Sequence, residues 1–234
     1  MRATEQLDRL YSRILDTPQE LDLDQLTLDD FSQHLISLAH EHDFVVHSTH
    51  GSQPQLVLIG ITHKSGMVDQ ENELVHILQH SMQANDMLLY ENSDMQDVYE
   101  VDYPGYHRND VVGQLKNFLM EKDIRVVMND ARSVRGSYML ALSRYNNCKQ
   151  NGTVKEELAE QLLDAREKRD RSFCYHPSAG IVPLAKRTAK IYKQPEDDAR
   201  LFQVFGLGHL IDDNITSYLK QEDISFIAFE PLKK

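Results

Sequence analysis

Two stretches of this chain share one pattern, and together they constrain the fold more than anything else in the sequence. Leu56-Val57-Leu58-Ile59 runs into Gly60-Ile61-Thr62-His63. Leu201-Phe202-Gln203-Val204-Phe205 runs into Gly206-Leu207-Gly208-His209. In each, an apolar run of strand length meets glycine, then histidine, then a helical pattern. One helix later another apolar run stops on a glutamate, Glu91 in the first case and Glu230 in the second. The pattern reads as a degenerate repeat of strand, Gly-x-x-His, helix and strand. Such a repeat brings distant imidazoles and carboxylates to one end of one sheet.

Strands alternate with helical patterns along the remainder, which predicts an α/β fold with a mainly parallel or mixed sheet flanked by helices. The two halves of the repeat bracket the chain with no linker between them. All 234 residues therefore read as a single domain, with N-terminal helices and a strand over 1–50 and a core over 55–230. Helices are expected over 4–16, from a Thr27 cap to Glu41, and over 68–84, 110–122, 134–146, 153–173 and 181–193. Phe44–Ser48 and Gln55–Ile61 read as a hairpin or neighbouring pair across the turn His50-Gly51-Ser52-Gln53-Pro54.

Composition narrows the function. Lys and Arg number 25 against 37 Asp and Glu, so the formal charge is −12, which opposes binding to nucleic acid or an anionic membrane. No apolar run has the length of a membrane span or of a signal-peptide core. Cys148 and Cys174 show no metal-type spacing and read as reduced thiols. The expected location is cytoplasmic, with export independent of a signal left open.

His63, Glu91, Asp130, His209 and Glu230 all fall just beyond predicted strand ends, where open α/β sheets bind ligands. Two mechanisms suit these residue types. In one, His63, Glu91 and His209 hold a divalent metal such as zinc, manganese or cobalt, which activates water. In the other, a histidine is general base without a metal and the glutamate supports it. Arg169, Arg132 and Arg135 are candidates to steady a developing oxyanion, since arginine keeps its charge when desolvated. Gly60, Gly206 and Gly208 allow close approach of backbone to ligand. With Ser65, Arg132 and Arg135 they form the expected substrate-binding set. His76 and His80 share a helix face but have no third ligand nearby, so they read as surface histidines. Tyr103 and Tyr106 either rim the site or pack their loop.

These blocks resemble the TraB/Tiki superfamily, which includes the erythromycin esterases and haem-associated ChaN-like proteins. The matching blocks are Gly60-Ile61-Thr62-His63, the strand ending at Glu91, Asn129-Asp130-Ala131-Arg132 with Arg135, Arg169-Asp170 on a helix, and Gly206-Leu207-Gly208-His209. They appear in family order over about residues 55–230. The resemblance implies a site of His63, Glu91, Arg169 and His209 in a hydrolase of peptides, esters or lactones, acting on a small-molecule or peptide substrate. In some branches the family activity depends on metal and in others it does not. Asp170 stands where the family has asparagine, and Asn129 and Ala131 replace two acids. The rival expectations are a non-catalytic ligand- or haem-binding protein of the same fold and a protein-interaction scaffold.

Overall fold

The computed structural model describes residues 1–15, 18, 21, 23, 27–62, 68–91, 99–103, 110–128, 132–174 and 199–232. In chain order the elements are α1 (Ala3–Leu15), α2 (Asp30–Glu41), β1 (Phe44–His50), β2 (Leu56–Ile61), α3 (Val68–Ser81), β3 (Met87–Tyr90), β4 (Tyr99–Glu100), α4 (Val111–Glu121), β5 (Arg125–Met128), α5 (Arg132–Gln150) and α6 (Glu156–Phe173). There follow β6 (Leu201–Gly206), a 3-10 turn (Leu207–His209), α7 (Asn214–Gln221) and β7 (Phe226–Pro231). The predicted helix over 181–193 lies outside the described residues.

The described strands form one sheet in the order β1-β7-β2-β6-β3-β5-β4. The five central strands are parallel, and β1 and β4 run antiparallel at the edges. This is an α/β fold with a mixed, mostly parallel sheet flanked by helices. β2, β6 and β7 are buried along their whole length. A strand covered on both faces has no polar side to show, hence the unbroken apolar runs.

Alternation along the strands sorts the core into two layers. Val57, Ile59, Leu88, Phe202, Val204, Ile227 and Phe229 face Leu35 of α2, Leu74 and Leu78 of α3, and Leu115 and Leu119 of α4. Leu58, Leu89, Phe205, Phe226 and Ala228 face Phe173 of α6 and Ile215 and Leu219 of α7. Thus α3, which follows β2, covers one face, and α7, which follows β6, covers the other. The units β2-α3-β3 and β6-α7-β7 interleave as β7-β2-β6-β3, related approximately by a half-turn about an axis along the strands. Gly60 and Gly206 correspond under that half-turn. The two glutamates do not. Tyr90 pairs with Val204 and Ala228 with Leu58, so Glu91 corresponds to Phe229 rather than Glu230. Both carboxylates consequently emerge on the α6–α7 face.

Two local expectations are corrected. Asp29, rather than Thr27, caps α2 by accepting from Ser32 N at 2.9 Å. β1 and β2 are not paired. β7 lies between them, hydrogen-bonded to β1 in antiparallel register and to β2 in parallel register. The turn is adjacent in sequence, but the apolar β7 supplies the more extensive pairing.

Candidate functional site

The site is built where β3 and β6 end on the α6–α7 face. Glu91, the residue after β3, donates its backbone N–H to Val204 O at 2.9 Å. Its carboxylate is held on both oxygens. Oε2 accepts from Gly206 N at 2.6 Å, and Oε1 accepts from Arg169 Nη2. The Arg169 and Glu91 side chains are 5% and 10% exposed, so the ion pair is largely screened from water. Arg169 also lies against aromatic rings, its guanidinium carbon 5.0 Å from the Tyr138 centroid and 5.5 Å from that of Phe173.

His209 closes the 3-10 turn that follows β6 and is buried. Its Nδ1 is hydrogen-bonded to Asp170 Oδ1. Asp170 is fully buried, and its second oxygen accepts from Asn214 Nδ2 at 3.0 Å. Phe173 and Tyr138 meet the imidazole edge-on at centroid distances of 5.1 and 6.1 Å. Carboxylate and rings together fix the orientation of the imidazole, leaving Nε2 as the nitrogen not engaged by Asp170.

Helix α6 explains how so many polar groups reach one spot. Its buried positions are Ala159, Leu162, Arg166, Arg169, Asp170 and Phe173, at steps of three and four. The stripe begins apolar and turns ionic where it crosses the strand ends. Helix α1 passes over the same place. Its Ile14 Cδ1 lies 3.5 Å from where a Cβ on Gly208 would stand. Between them is a cavity of about 220 Å³. It is lined by the polar side chains of Glu91, Arg166, Arg169 and His209, by Gly206 and Gly208, by Tyr11 and Tyr138, and by the apolar Leu7, Leu10, Ile14 and Leu162. Burial holds the phenol of Tyr11 up at about 12 and raises that of Tyr138 despite the nearby arginines. A larger hollow of about 670 Å³ lies beyond Leu10, against Arg9, Arg13, Ile211 and Asp212, and the described residues of its wall include neither histidine nor glutamate.

Among the residues expected from sequence, Glu91, Arg169, His209, Gly206 and Gly208 come together here. His63, Ser65 and Asp130 lie outside the described residues, as does the side chain of Arg132. Arg135 and Gly60 are not in the cavity wall. Gly60 serves packing instead: a Cβ there would stand 3.2 Å from Leu207 Cα. Tyr103 belongs to the opposite core layer and donates to Ile124 O at 3.1 Å. His76 and His80 are exposed on α3. Both cysteines are free thiols, and burial pushes that of Cys174 upward.

Glu230 belongs to a separate polar cluster beside the cavity. Its Oε1 is 3.0 Å from His47 Nδ1 and 3.4 Å from Arg13 Nη2, and His47 Nε2 reaches Asp213 Oδ1 at 3.3 Å. His47 sits at the bulge of β1, between the pairs Val46–Phe229 and Ser48–Ala228.

Sequence reasoning gave no role to Asp170, Arg166 or Tyr138. The available signal was the placement of Arg166, Arg169 and Asp170 on the same stripe as Ala159, Leu162 and Phe173.

Among the described residues no group of three or more His, Cys, Asp or Glu is arranged to hold a metal ion. No described helix is long and apolar enough to cross a membrane. In comparisons with known proteins, no family model, curated protein or solved structure matches this chain.

Proposed function

We propose that this chain is a hydrolase of the TraB/Tiki/erythromycin-esterase type that adds water to a peptide, ester or lactone carbonyl. The observation that carries the reading is the His209 imidazole, backed by Asp170 and lining the same small cavity as the Glu91–Arg169 pair. Asp170 accepts a hydrogen bond from Nδ1–H, which leaves the lone pair of the neutral ring on Nε2. Nε2 takes a proton from water as the water oxygen bonds to the carbonyl carbon. The carbonyl π electrons move to oxygen, beside the guanidinium of Arg169. The imidazolium then returns its proton to the leaving oxygen or nitrogen as the tetrahedral intermediate collapses. Asp170 remains ionised and steadies the imidazolium, which a carboxylate does better than the family's amide. His63 and Ser65 enter this reading from the sequence pattern alone.

Among the described residues, the donor set suits a divalent cation poorly. Both oxygens of Glu91 already accept hydrogen bonds, from Arg169 and from Gly206 N. A cation there competes with both donors for the carboxylate, and no step is routed through a metal. A cavity of about 220 Å³ admits a compact group rather than a macrocycle such as haem.

The experiment is a screen of fluorogenic esters, lactones and peptides with wild type, His209→Ala and Asp170→Asn. Loss of a general base lowers the rate by roughly 10²–10⁴-fold, so His209→Ala should fall in that range and Asp170→Asn should fall less. If wild type turns over no member of the screen, or His209→Ala is as active as wild type, the ligand-binding reading takes precedence.

A further inference from the structure

Three histidines gather on the other side of the sheet from the cavity, where α2 and α3 cover the core. His76 and His80 stand one turn apart on the exposed side of α3, while Leu74, Ile77 and Leu78 are buried beneath. Positions four apart on a helix bring their side chains together. A third imidazole arrives from α2. His42, at the C-terminus of that helix, stacks on His76 at a centroid distance of 5.5 Å, and His76 is 6.3 Å from His80. Glu73, one turn before His76 on α3, is hydrogen-bonded to His42 Nδ1.

The hydrogen bonds decide which ring nitrogens are available. His80 Nδ1 is 2.8 Å from His76 O, and a carbonyl only accepts, so Nδ1 carries the proton. The Glu73 carboxylate likewise accepts from His42 Nδ1. In the neutral rings Nε2 then holds the lone pair. Ligating histidines are held in this way, the second ring nitrogen donating to a carboxylate or a backbone carbonyl. The spacing agrees. With metal–nitrogen bonds of about 2.0–2.1 Å, two imidazoles on one tetrahedral ion have centroids about 5 Å apart. As they stand, the stacked rings do not converge on one point. His76 and His80 are exposed, and exposed side chains change rotamer within ps–ns, so side-chain rotation is the route to convergence.

We propose that His42, His76 and His80 form a site for a divalent transition-metal ion that ties α2 to α3. Imidazole nitrogen suits zinc, copper or nickel, whereas magnesium and calcium take oxygen ligands. Glu73 is a positioning residue for His42. The formal charge of −12 favours approach of a cation. The site is independent of the hydrolase reading.

Zinc chloride is titrated calorimetrically at pH 7.5 into the full, untagged chain after dialysis against EDTA. The proteins are wild type, His42→Ala, His76→Ala, His80→Ala and His209→Ala, and magnesium chloride is the control. Wild type should bind one zinc ion saturably and no magnesium. Each of the first three variants should weaken zinc binding at least tenfold, since even the outer-shell partners of a ligand are worth about 10–100-fold. His209→Ala should bind zinc as wild type does. Zinc should also raise the melting temperature of wild type but not of His76→Ala. If His42→Ala does not fold, His42→Gln, which keeps a donor for Glu73 without an imidazole, takes its place. No saturable zinc binding, equal binding of magnesium, or wild-type affinity in any of the α2 and α3 variants overturns the site. Zinc binding lost in His209→Ala and kept in His76→Ala also overturns it and moves the ion to the cavity.

Discussion

Replacing His47 with glutamine tests the polar cluster on β1 and β7 through its pH dependence. The His47 side chain is 8% exposed and lies between the carboxylates of Glu230 and Asp213. Burial alone disfavours the imidazolium, but hydrogen bonds to Asp213 and Glu230 outweigh it and raise the pKa from the ordinary 6.5 to about 9. A group whose pKa is raised by folding stabilises fully below its unfolded pKa, and that stability is lost as pH rises through the folded value. The rise from 6.5 to about 9 corresponds to roughly 3 kcal/mol below pH 6.5. By the same linkage about 2 kcal/mol remains at pH 7.5 and almost none at pH 10. Tyrosines and lysines also titrate in this range, so the measurement is the gap between wild type and His47→Gln. Urea unfolding of both proteins at pH 6, 7.5, 9 and 10 gives that gap. It should narrow by about 2 kcal/mol between pH 7.5 and 10. His47 also holds the Asp213 carboxyl below its ordinary range by hydrogen bonding. That contribution is present above the unfolded carboxylate pKa and is lost as pH falls through the folded value, so the gap narrows again in acid. A gap that stays constant from pH 7.5 to 10, or widens, refutes a charged His47 in the folded protein.

Three further outcomes follow from the geometry. Gly60→Ala places a methyl 3.0 Å from Leu207 Cδ1 and 3.2 Å from its Cα, whereas Gly208→Ala meets only Ile14 at 3.5 Å. In urea unfolding, Gly60→Ala should lose about 1–3 kcal/mol, as overpacked cores do, and Gly208→Ala should stay close to wild type. Glu91→Gln and Arg169→Met singly should each cost about 3–5 kcal/mol by stranding a buried charge, and the double variant should recover part of that loss, measured as a double-mutant cycle. Dialysis of the His76→Ala variant against EDTA should leave the melting temperature unchanged, and a drop of several degrees that zinc restores would reinstate the metal reading for the cavity.

Much of the fold is legible in the residues because buried parallel strands advertise themselves as apolar runs. Leu56–Ile61, Met87–Tyr90 and Leu201–Gly206 are such runs, and each is a strand. The turn after β1 predicts a hairpin or neighbouring pair of β1 and β2 that the sheet does not contain, since a turn cluster records only where the chain bends. Which strand fills the neighbouring place depends on β7, far along the sequence. A second signal lies in the helix-to-strand junctions. Glu41-His42-Asp43-Phe44, Glu121-Lys122-Asp123-Ile124 and Gln221-Glu222-Asp223-Ile224 are three versions of one helix-to-strand junction. In each the aspartate takes the left-handed conformation, with φ of 60°, 55° and 52°, a conformation that Asp and Asn tolerate better than most residues.

The candidate site was half legible. Glu91 and His209 stand at strand ends, where a one-dimensional reading looks first. Arg166 and Asp170 stand inside a helix, where charged residues usually signal a solvated face. Only their alignment with Ala159, Leu162 and Phe173 marks them as buried. The glutamate of the second unit shows the opposite error. Glu230 looks like a copy of Glu91, but it is one residue out of step and is bonded to His47 instead of lining the cavity.

The interleaving of β2, β6, β3 and β7 dictates when this molecule can fold. Leu56 is paired with Leu201 and Phe226, so β2 gains its neighbours only after β6 and β7 have been synthesised. On the ribosome, an emerging N-terminal half presents β2 and β3 with the intervening strand missing and the apolar edges of both uncovered. Such pairings between distant segments form slowly. Fragments cut before β6 should therefore be retained by chaperones or aggregate, and expression trials should keep the chain intact through β7.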